Sequence, residues 1–111
     1  MARGKTVLLR LDKAERGAFA IAVHRGKRAI EHHLRLVDYD EPDELLIAAA
    51  EAKLDGAEEA DGQIDVSLTF PEALQLEIAA DIGLQVILSQ NMVANTGPME
   101  RALEKLKAAA R

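Results

Sequence analysis

The stretch Pro42-Asp43-Glu44-Leu45-Leu46-Ile47-Ala48 decides the fold that this sequence predicts. Proline suits the first position of a helix, and acidic side chains in the first turn are favoured by the helix dipole. We therefore expect a helix from Pro42 to a stop at Gly56. Three segments with the two-residue alternation of β-strands precede it. The first, Thr6–Asp12, ends in a carboxylate, so one acid stands at a strand end and another, Glu44, at a helix start.

The remaining elements follow from the same kinds of pattern. We predict further strands at residues 18–24, 28–37, 64–70 and 84–88, a tight turn at Gly26, a helix from the capping-box sequence at 69–72 to Gly83, and a last helix from Pro98. Residues 57–62 are expected to form an acidic linker. The order β-β-β-α-β-α-β-α, a meander followed by strand–helix alternation, predicts a mixed five-stranded sheet with helices packed on it. No internal repeat is evident, and 111 residues suit a single domain spanning 1–111.

Composition excludes several classes of protein. The chain has no cysteine, so disulfides and thiolate metal sites are excluded and a reducing compartment is favoured. No apolar run reaches the roughly 18 residues of a membrane span, so we predict a soluble, cytoplasmic protein without a membrane partner. The only aromatic residues are Phe19, Tyr39 and Phe70, which argues against stacking of single-stranded bases.

Charge is unevenly distributed along the chain, whose net charge is −5. Residues 1–35 hold nine Lys/Arg against three Asp/Glu, whereas residues 36–84 hold one Lys against fourteen Asp/Glu. The basic end could face the phosphates of a nucleic acid, but the acidic middle would repel them. An unevenly charged, solvated surface explains the same pattern, and both interpretations stay open.

The order of elements is similar to that of the ribonuclease H fold. Residues 45–54, Leu-Leu-Ile-Ala-Ala-Ala-Glu-Ala-Lys-Leu, resemble the first helix of that family, in which a catalytic Glu precedes a similar Leu/Ala run. Residues 95–103, Asn-Thr-Gly-Pro-Met-Glu-Arg-Ala-Leu, resemble its last loop and helix start, a Gly-Asn-Glu-Arg-Ala-Asp type of motif. The resemblance covers roughly residues 5–110 and implies an α/β (α+β) ribonuclease H-like fold with a five-stranded mixed sheet.

The resemblance also implies a metal site. In that family four carboxylates hold two divalent ions such as Mg²⁺ or Mn²⁺, which activate the attacking water and stabilise the leaving oxygen. Asp12 matches the first carboxylate and Glu44 the second. The third position falls at Phe70 and the fourth near Leu103, which are not acids, although Glu104 is close by. Asp12 and Glu44 are therefore the candidate catalytic residues, with Glu104 as a further candidate metal ligand.

Simpler explanations exist for the same residues. Asp12, a carboxylate at a strand end, is explained as a solvated surface group. Glu44, a carboxylate in the first turn of a helix, is explained by the helix dipole alone. The adjacent His32 and His33 would point to opposite faces of a strand, so they do not suggest a zinc site.

Three hypotheses about function remain. The first is a ribonuclease H-like domain without complete two-metal nuclease chemistry, which acts as a binding or assembly module and needs no cofactor. The second is a divergent Mg²⁺/Mn²⁺-dependent endonuclease that cuts RNA in RNA/DNA hybrids through Asp12 and Glu44. The third is a homo-oligomer joined along the apolar strand at 84–88. The partner is expected to be nucleic acid, through basic residues 1–35, or another protein.

Overall fold

In the computed structural model, the first strand runs directly into a long helix, where the sequence predicts two further strands. The structure describes residues 6–31, 44–90 and 96–110. Its elements, in chain order, are β1 (Thr6–Asp12), α1 (Lys13–Glu31), α2 (Glu44–Gly56), β2 (Glu59–Ala60), β3 (Gln63–Thr69), α3 (Phe70–Ser89) and α4 (Gly97–Ala109). The structure confirms the first strand and the last helix. It also confirms the strand predicted at 64–70, except that residue 70 belongs to α3. The predicted start of α2 at Pro42 lies outside the described residues.

The described strands form one antiparallel sheet in the order β1-β3-β2. In the pairing of β1 with β3, Thr6 lies opposite Thr69, Leu9 opposite Val66 and Asp12 opposite Gln63. Alternate side chains of both strands are at most 1% exposed, namely Val7, Leu9, Leu11, Ile64, Val66 and Leu68. These side chains pack on the helices, while the intervening ones are mostly exposed, as expected of a sheet covered on one face.

The predicted five-stranded, ribonuclease H-like sheet is wrong, because the segment at 18–24 and the start of the segment at 28–37 belong to α1. The rest of the latter segment lies outside the described residues. Phe19, Ala22 and Val23 are fully buried at helical spacing, whereas Ile21, which a strand would place beside Phe19 and Val23, is 55% exposed. The buried apolar residues therefore have the period of a helix. The many alanines of this segment fit a strand pattern as well, so the sequence did not distinguish the two.

The predicted fifth strand, at residues 84–88, is also wrong, because α3 continues through Gly83 to Ser89. Buried residues on both sides of Gly83 belong to one helical stripe, which includes Leu76, Ala80 and Ile87. Gly83 therefore does not stop the helix. The predicted oligomer contact along an apolar edge strand at 84–88 loses its basis, since these residues are helical.

The fold contains an internal repeat that the sequence does not reveal at first sight. The β1–α1 unit and the β3–α3 unit align with each other when the sequence is shifted by 57 residues. This shift makes Leu9 equivalent to Val66 and Gly26 equivalent to Gly83. Leu9 and Val66 are also direct partners at the centre of the β1–β3 ladder. Such a pairing of equivalent residues in antiparallel strands defines a local twofold axis, so the two units face each other as the subunits of a dimer would.

The helices of the two units cross in very close contact at their equivalent glycines. A Cβ atom on Gly26 would lie 1.7 Å from the carbonyl oxygen of Ala79, and one on Gly83 would lie 1.7 Å from the carbonyl oxygen of Ala22. Ala22 and Ala79 are themselves equivalent in the repeat. The close approach of the α1 and α3 backbones therefore requires a residue without a side chain at both positions.

Residues 57–62, predicted as a linker, instead contain β2 and a tight turn into β3. The turn residues Asp61 and Gly62 both have positive φ, 54° and 77°. Ala60 pairs with Gln63 across this turn, so Asp-Gly forms the two-residue hairpin that such dihedral angles allow.

Substitution of Gly62 by alanine is expected to lower the free energy of unfolding by about 1 kcal/mol, because an L-residue is strained at this φ. Urea unfolding followed by circular dichroism measures the effect. Gly56→Ala is the matched control, since that glycine lacks a positive φ and a Cβ atom there would contact nothing within 4 Å. Equal stability of the two variants would contradict the turn.

Candidate functional site

The junction between β1 and α1 is closed by a reciprocal pair of hydrogen bonds. The backbone N–H of Glu15 donates to Oδ1 of Asp12 (2.7 Å), and the backbone N–H of Asp12 donates to Oε1 of Glu15 (2.9 Å). This is the capping-box arrangement, with Asp12 as the capping residue and Glu15 as its partner. The carboxylate that the sequence nominates as a metal ligand therefore caps the helix that follows it.

Glu15 is buried at this junction, with only 2% of its surface exposed. Its carboxylate accepts hydrogen bonds from Nζ of Lys105 (2.6 Å) and from Nε of Arg101 (3.4 Å), both on α4. A buried charge is tolerated only when it is paired and hydrogen-bonded, which these contacts provide. The last helix is thus tied to the start of the first.

The junction between β3 and α3 repeats this arrangement. Thr69 caps α3 and Glu72 completes the capping box, as the sequence predicts. Glu72 is 6% exposed, and its Oε1 accepts from Nζ of Lys53 on α2 at 2.6 Å. The helix that follows each unit in the chain, α2 or α4, therefore supplies the lysine that neutralises the buried glutamate of the other unit.

Two opposing influences set the pKa of both buried glutamates. Burial, the largest influence, acts to raise the pKa of Glu15 and of Glu72. Hydrogen bonds from lysine and from the capped backbone, together with the charge of the lysine, outweigh it. The pKa of each carboxyl is consequently lowered from its ordinary value of 4.5, and both groups are held as carboxylates.

The structure separates the positions that the metal-site prediction needs together. Asp12 lies opposite Gln63, at the start of β3, whereas Phe70 follows the end of β3. Seven antiparallel pairs therefore place Asp12 and Phe70 at opposite ends of the sheet, about 20 Å apart at 3.3 Å per residue. In a ribonuclease H arrangement the two corresponding strand ends would be neighbours.

The other predicted site residues lie in helices. Glu44 is the first residue of α2, and its side chain is not among those that the structure describes. Leu103 lies on α4 and is buried in the hydrophobic core, and the next residue, Glu104, is exposed. Among the described residues, no three His, Cys, Asp or Glu side chains form a group that could hold a metal ion. A Mg²⁺ or Mn²⁺ site at Asp12, Glu44 and Glu104 stays a prediction.

The β2–β3 hairpin determines which backbone groups of β1 point outward. The two-residue turn closes on Ala60 and Gln63, so the N–H and C=O of Gln63 point toward β2. The corresponding groups of Asp12, which lies opposite Gln63 in β1, then point away from β3. The hydrogen bond from the N–H of Asp12 to Glu15 agrees with this direction.

An open sheet edge follows from this alternation. The N–H and C=O groups of Thr6, Leu8 and Arg10 point away from β3 in the same way as those of Asp12. β1 is the outermost strand, and within residues 6–31, 44–90 and 96–110 no other strand pairs with its outer side. We call the outward backbone groups of Thr6, Leu8 and Arg10, with their side chains, the β1 edge.

The side chains of the β1 edge combine an apolar group with a neutralised charge. Leu8 is 55% exposed on the open face of the sheet. Next to it, Nε of Arg10 donates to Oδ1 of Asp65 at 2.8 Å, and this pair raises the pKa of Arg10 and lowers that of Asp65. The sequence pattern did not predict this edge, although the Asp61-Gly62 dipeptide directly before β3 is typical of the hairpin whose turn fixes the direction of these backbone groups.

Comparison with known protein families, with curated proteins and with solved structures gave no match. No helix in the described part of the chain is long and apolar enough to cross a membrane. The β1 edge is therefore the surface from which we infer a function.

Proposed function

We propose that this chain is a protein-binding module that adds an extended segment of a partner to the β1 edge. The observation that supports it is the row of outward N–H and C=O groups on Thr6, Leu8 and Arg10, with no described strand beside them. An edge of this kind is a template for another strand. In strand addition, main-chain hydrogen bonds supply affinity, and contacts with alternate side chains supply specificity.

Exposed Leu8 favours a partner at this edge. A leucine at the middle of an open edge strand is the feature that monomeric sheet proteins usually replace by lysine or proline. The outer side of β3 is less suitable, because β2 already pairs with Gln63 and Ile64 there. Its remaining outward positions, Asp65, Ser67 and Thr69, carry polar side chains only, and the N–H of Thr69 already donates to Glu72.

The described charges favour a protein partner over nucleic acid. Three of the six described Lys and Arg side chains within residues 1–35 already have partners, since Arg10 pairs with Asp65, Lys27 pairs with Glu51, and Arg16 donates to the carbonyl oxygen of Ala57. Nucleic-acid binding proteins instead present clustered, available Lys and Arg on one face. The hybrid-cleaving nuclease stays a prediction that this structure gives no reason to prefer.

Titration of the ¹⁵N-labelled protein with heptapeptides of alternating apolar and polar residues tests strand addition. We expect bound peptides to slow hydrogen exchange of the Leu8 and Arg10 amides, which have no described partner, and to leave Leu9, already bonded to β3, unchanged. The matched control is the same peptide N-methylated at alternate residues, which removes the donors facing β1. If no peptide in the set protects Leu8 or Arg10, the proposed function is wrong.

A further inference from the structure

The side of α1 that faces away from the core forms a second exposed surface. It carries residues at helical spacing that are all exposed, namely Lys13, Ala14, Gly17, Ile21, His24 and Arg28. We call these residues, with the half-buried Arg25 beside them, the α1 outer face. We propose that the α1 outer face binds an acidic amphipathic helix of a partner protein. This contact is separate from the β1 edge and does not rest on strand addition.

Gly17 has no structural role within the molecule itself. It lies inside α1 without a positive φ, and a Cβ atom there would meet nothing within 4 Å. Glycine inside a helix is less stable than alanine, so Gly17 weakens α1. The equivalent residue of α3 is Leu74, which is 40% exposed, so the fold accepts a large side chain at this position. A local preference that is broken without an internal reason is typical of a functional position.

The opposite side of α1 shows how a glycine serves a helix crossing. At the buried Gly26, α3 passes so closely that a Cβ atom would lie 1.7 Å from the carbonyl oxygen of Ala79. A partner helix can approach α1 from outside in the same way at Gly17, because no side chain stands above the backbone there. Ala14 adds little bulk on one side of this point, and Ile21, which is 55% exposed, supplies an apolar contact on the other.

The charges of the α1 outer face are all positive. Lys13 lies at its start, and Arg25 and Arg28 lie near its end. Within residues 6–31, 44–90 and 96–110, the side chains of these three residues form no hydrogen bond or ion pair. The described acid of α1, Glu15, is buried and bound to α4. Acidic side chains on a partner are therefore the complement of this face.

The internal repeat shows that this basic character is not a requirement of the fold. At the positions equivalent to His24 and Arg28, α3 carries Asp81 and Gln85. Lys13 also lies in the first turn of α1, where the helix dipole disfavours a cation. The cations are thus a property of α1 alone, as is the glycine between them.

The spacing of the cations favours an acidic helix over nucleic acid or a membrane. Lys13 and Arg28 lie about 22 Å apart along α1, with the uncharged Gly17 and Ile21 between them. A nucleic acid carries a charge about every 3.4 Å of each strand and would leave phosphates opposite this uncharged part. Binding in a membrane interface needs an apolar side of several large residues, whereas Ile21 is the single large one here. A partner helix with acidic ends and a small, apolar middle matches the observed order.

Titration of the ¹⁵N-labelled full chain with a blocked, acidic helical peptide of about 18 residues tests the proposal. One side of the peptide carries alanine and leucine at its middle, and both ends carry glutamate. We expect a dissociation constant of about 1–100 µM and shifts of the Gly17, Ile21 and His24 amide signals. A scrambled peptide of the same composition, which has no apolar side, is the control. Absence of binding, or shifts that map to another surface, would overturn the proposal.

Gly17→Leu tests the crossing point without changing a charge. The variant carries the residue that α3 has at the equivalent position, so we expect an unchanged circular dichroism spectrum and at least about tenfold weaker peptide binding. Ala52→Leu is the matched control, because it adds a leucine at an exposed position of α2. Gly17→Ala is a milder second variant, which should unfold at higher urea concentration than the wild type and yet bind the peptide more weakly. Unchanged peptide affinity in both Gly17 variants would contradict a helix crossing at this residue.

Reversal of charge tests the chemistry of the partner. The double variant Arg25→Glu, Arg28→Glu should lose the acidic peptide and instead bind a peptide with lysine in place of glutamate. Lys107→Glu, in the last turn of α4 as Arg28 is in the last turn of α1, should leave the affinity for the acidic peptide unchanged. Oligothymidylate and phosphatidylglycerol vesicles are titrated in parallel. If either of them, or a second copy of the chain, occupies the α1 outer face while the acidic peptide does not, the proposed partner is wrong.

Discussion

Replacing Gly26 by alanine is expected to lower the free energy of unfolding by about 3 kcal/mol or more. The added methyl group would lie 1.7 Å from the carbonyl oxygen of Ala79, a distance that no pair of unbonded atoms tolerates. The neighbour is backbone of α3, so it cannot rotate away as a flexible side chain could. The two helices must therefore separate, and the core between them is lost.

Gly17→Ala is the matched control for this prediction, because both glycines lie inside α1. A Cβ atom on Gly17 would contact nothing within 4 Å, so alanine should raise the free energy of unfolding by about 0.5–1 kcal/mol through its higher helix propensity. Chemical unfolding of the three proteins at pH 7 measures both effects. Stabilisation of both variants would contradict the close crossing of α1 and α3.

The local repeat extends this prediction to the other helix. Gly83→Ala should be about as destabilising as Gly26→Ala, because the equivalent contact, with the carbonyl oxygen of Ala22, is also 1.7 Å. The two substitutions act on the same crossing, so their effects should not add. A double variant that loses the full sum would indicate two independent sites of packing.

The same two glycines explain why the sequence predicted the wrong fold. Gly26 suggested a turn between strands and Gly83 the end of a helix, since an isolated glycine has those roles in most sequences. Their actual role depends on a helix from a unit 57 residues away. No local pattern reports such a contact, so α1 was divided into strands and α3 was cut short.

Local signals were reliable where the interaction itself is local. The capping box at Thr69 and Glu72 was predicted and is present, and the alternation in β3 gives its buried and exposed faces correctly. In Thr6–Asp12 the alternation gives the buried face correctly, but the apolar side chains on both faces predicted a central strand covered on both sides, which is wrong because β1 is an outermost strand with Leu8 exposed. The equivalent capping box at Asp12 and Glu15 has the same spacing but was overlooked. This capping box indicates the start of a helix at Lys13, where a turn and a strand were predicted.

The candidate metal site depended on strand direction, which local patterns do not determine. The resemblance to ribonuclease H placed the ends of the first strand and of the strand at 64–70 side by side. In the structure β1 and β3 are antiparallel, which puts Asp12 and Phe70 at opposite ends of the sheet. The β1 edge depends on the same direction, and it could be located only after the pairing with β3 was known.

Lys53→Met and Lys105→Met are expected to destabilise the protein by unequal amounts. Each substitution leaves a buried glutamate without its lysine, which is costly because the remaining charge is poorly solvated. Glu15 keeps Arg101 when Lys105 is removed, whereas Glu72 has no second cation among the described residues. We expect losses of about 2 kcal/mol for Lys105→Met and about 3 kcal/mol for Lys53→Met at pH 7.

The pH dependence of these losses identifies their cause. In the wild-type protein the pKa of both glutamates is lowered, so their contribution to stability is complete above the ordinary value of 4.5 and is lost as the pH falls through the lowered pKa. In each lysine variant, protonation at low pH removes the buried charge that causes the loss. The stability difference between variant and wild type should therefore be largest at pH 7 and should shrink toward pH 3.

Urea unfolding at both pH values measures this change, with Arg10→Met as the control. The pair that Arg10 forms with Asp65 is exposed to solvent, so its removal should have little effect at either pH. Combining Lys53→Met with Glu72→Gln should recover part of the lost stability, because the glutamine leaves no unpaired charge. A loss that is equal at pH 3 and pH 7, or that Glu72→Gln does not reduce, would mean that Lys53 stabilises the junction by packing rather than by charge.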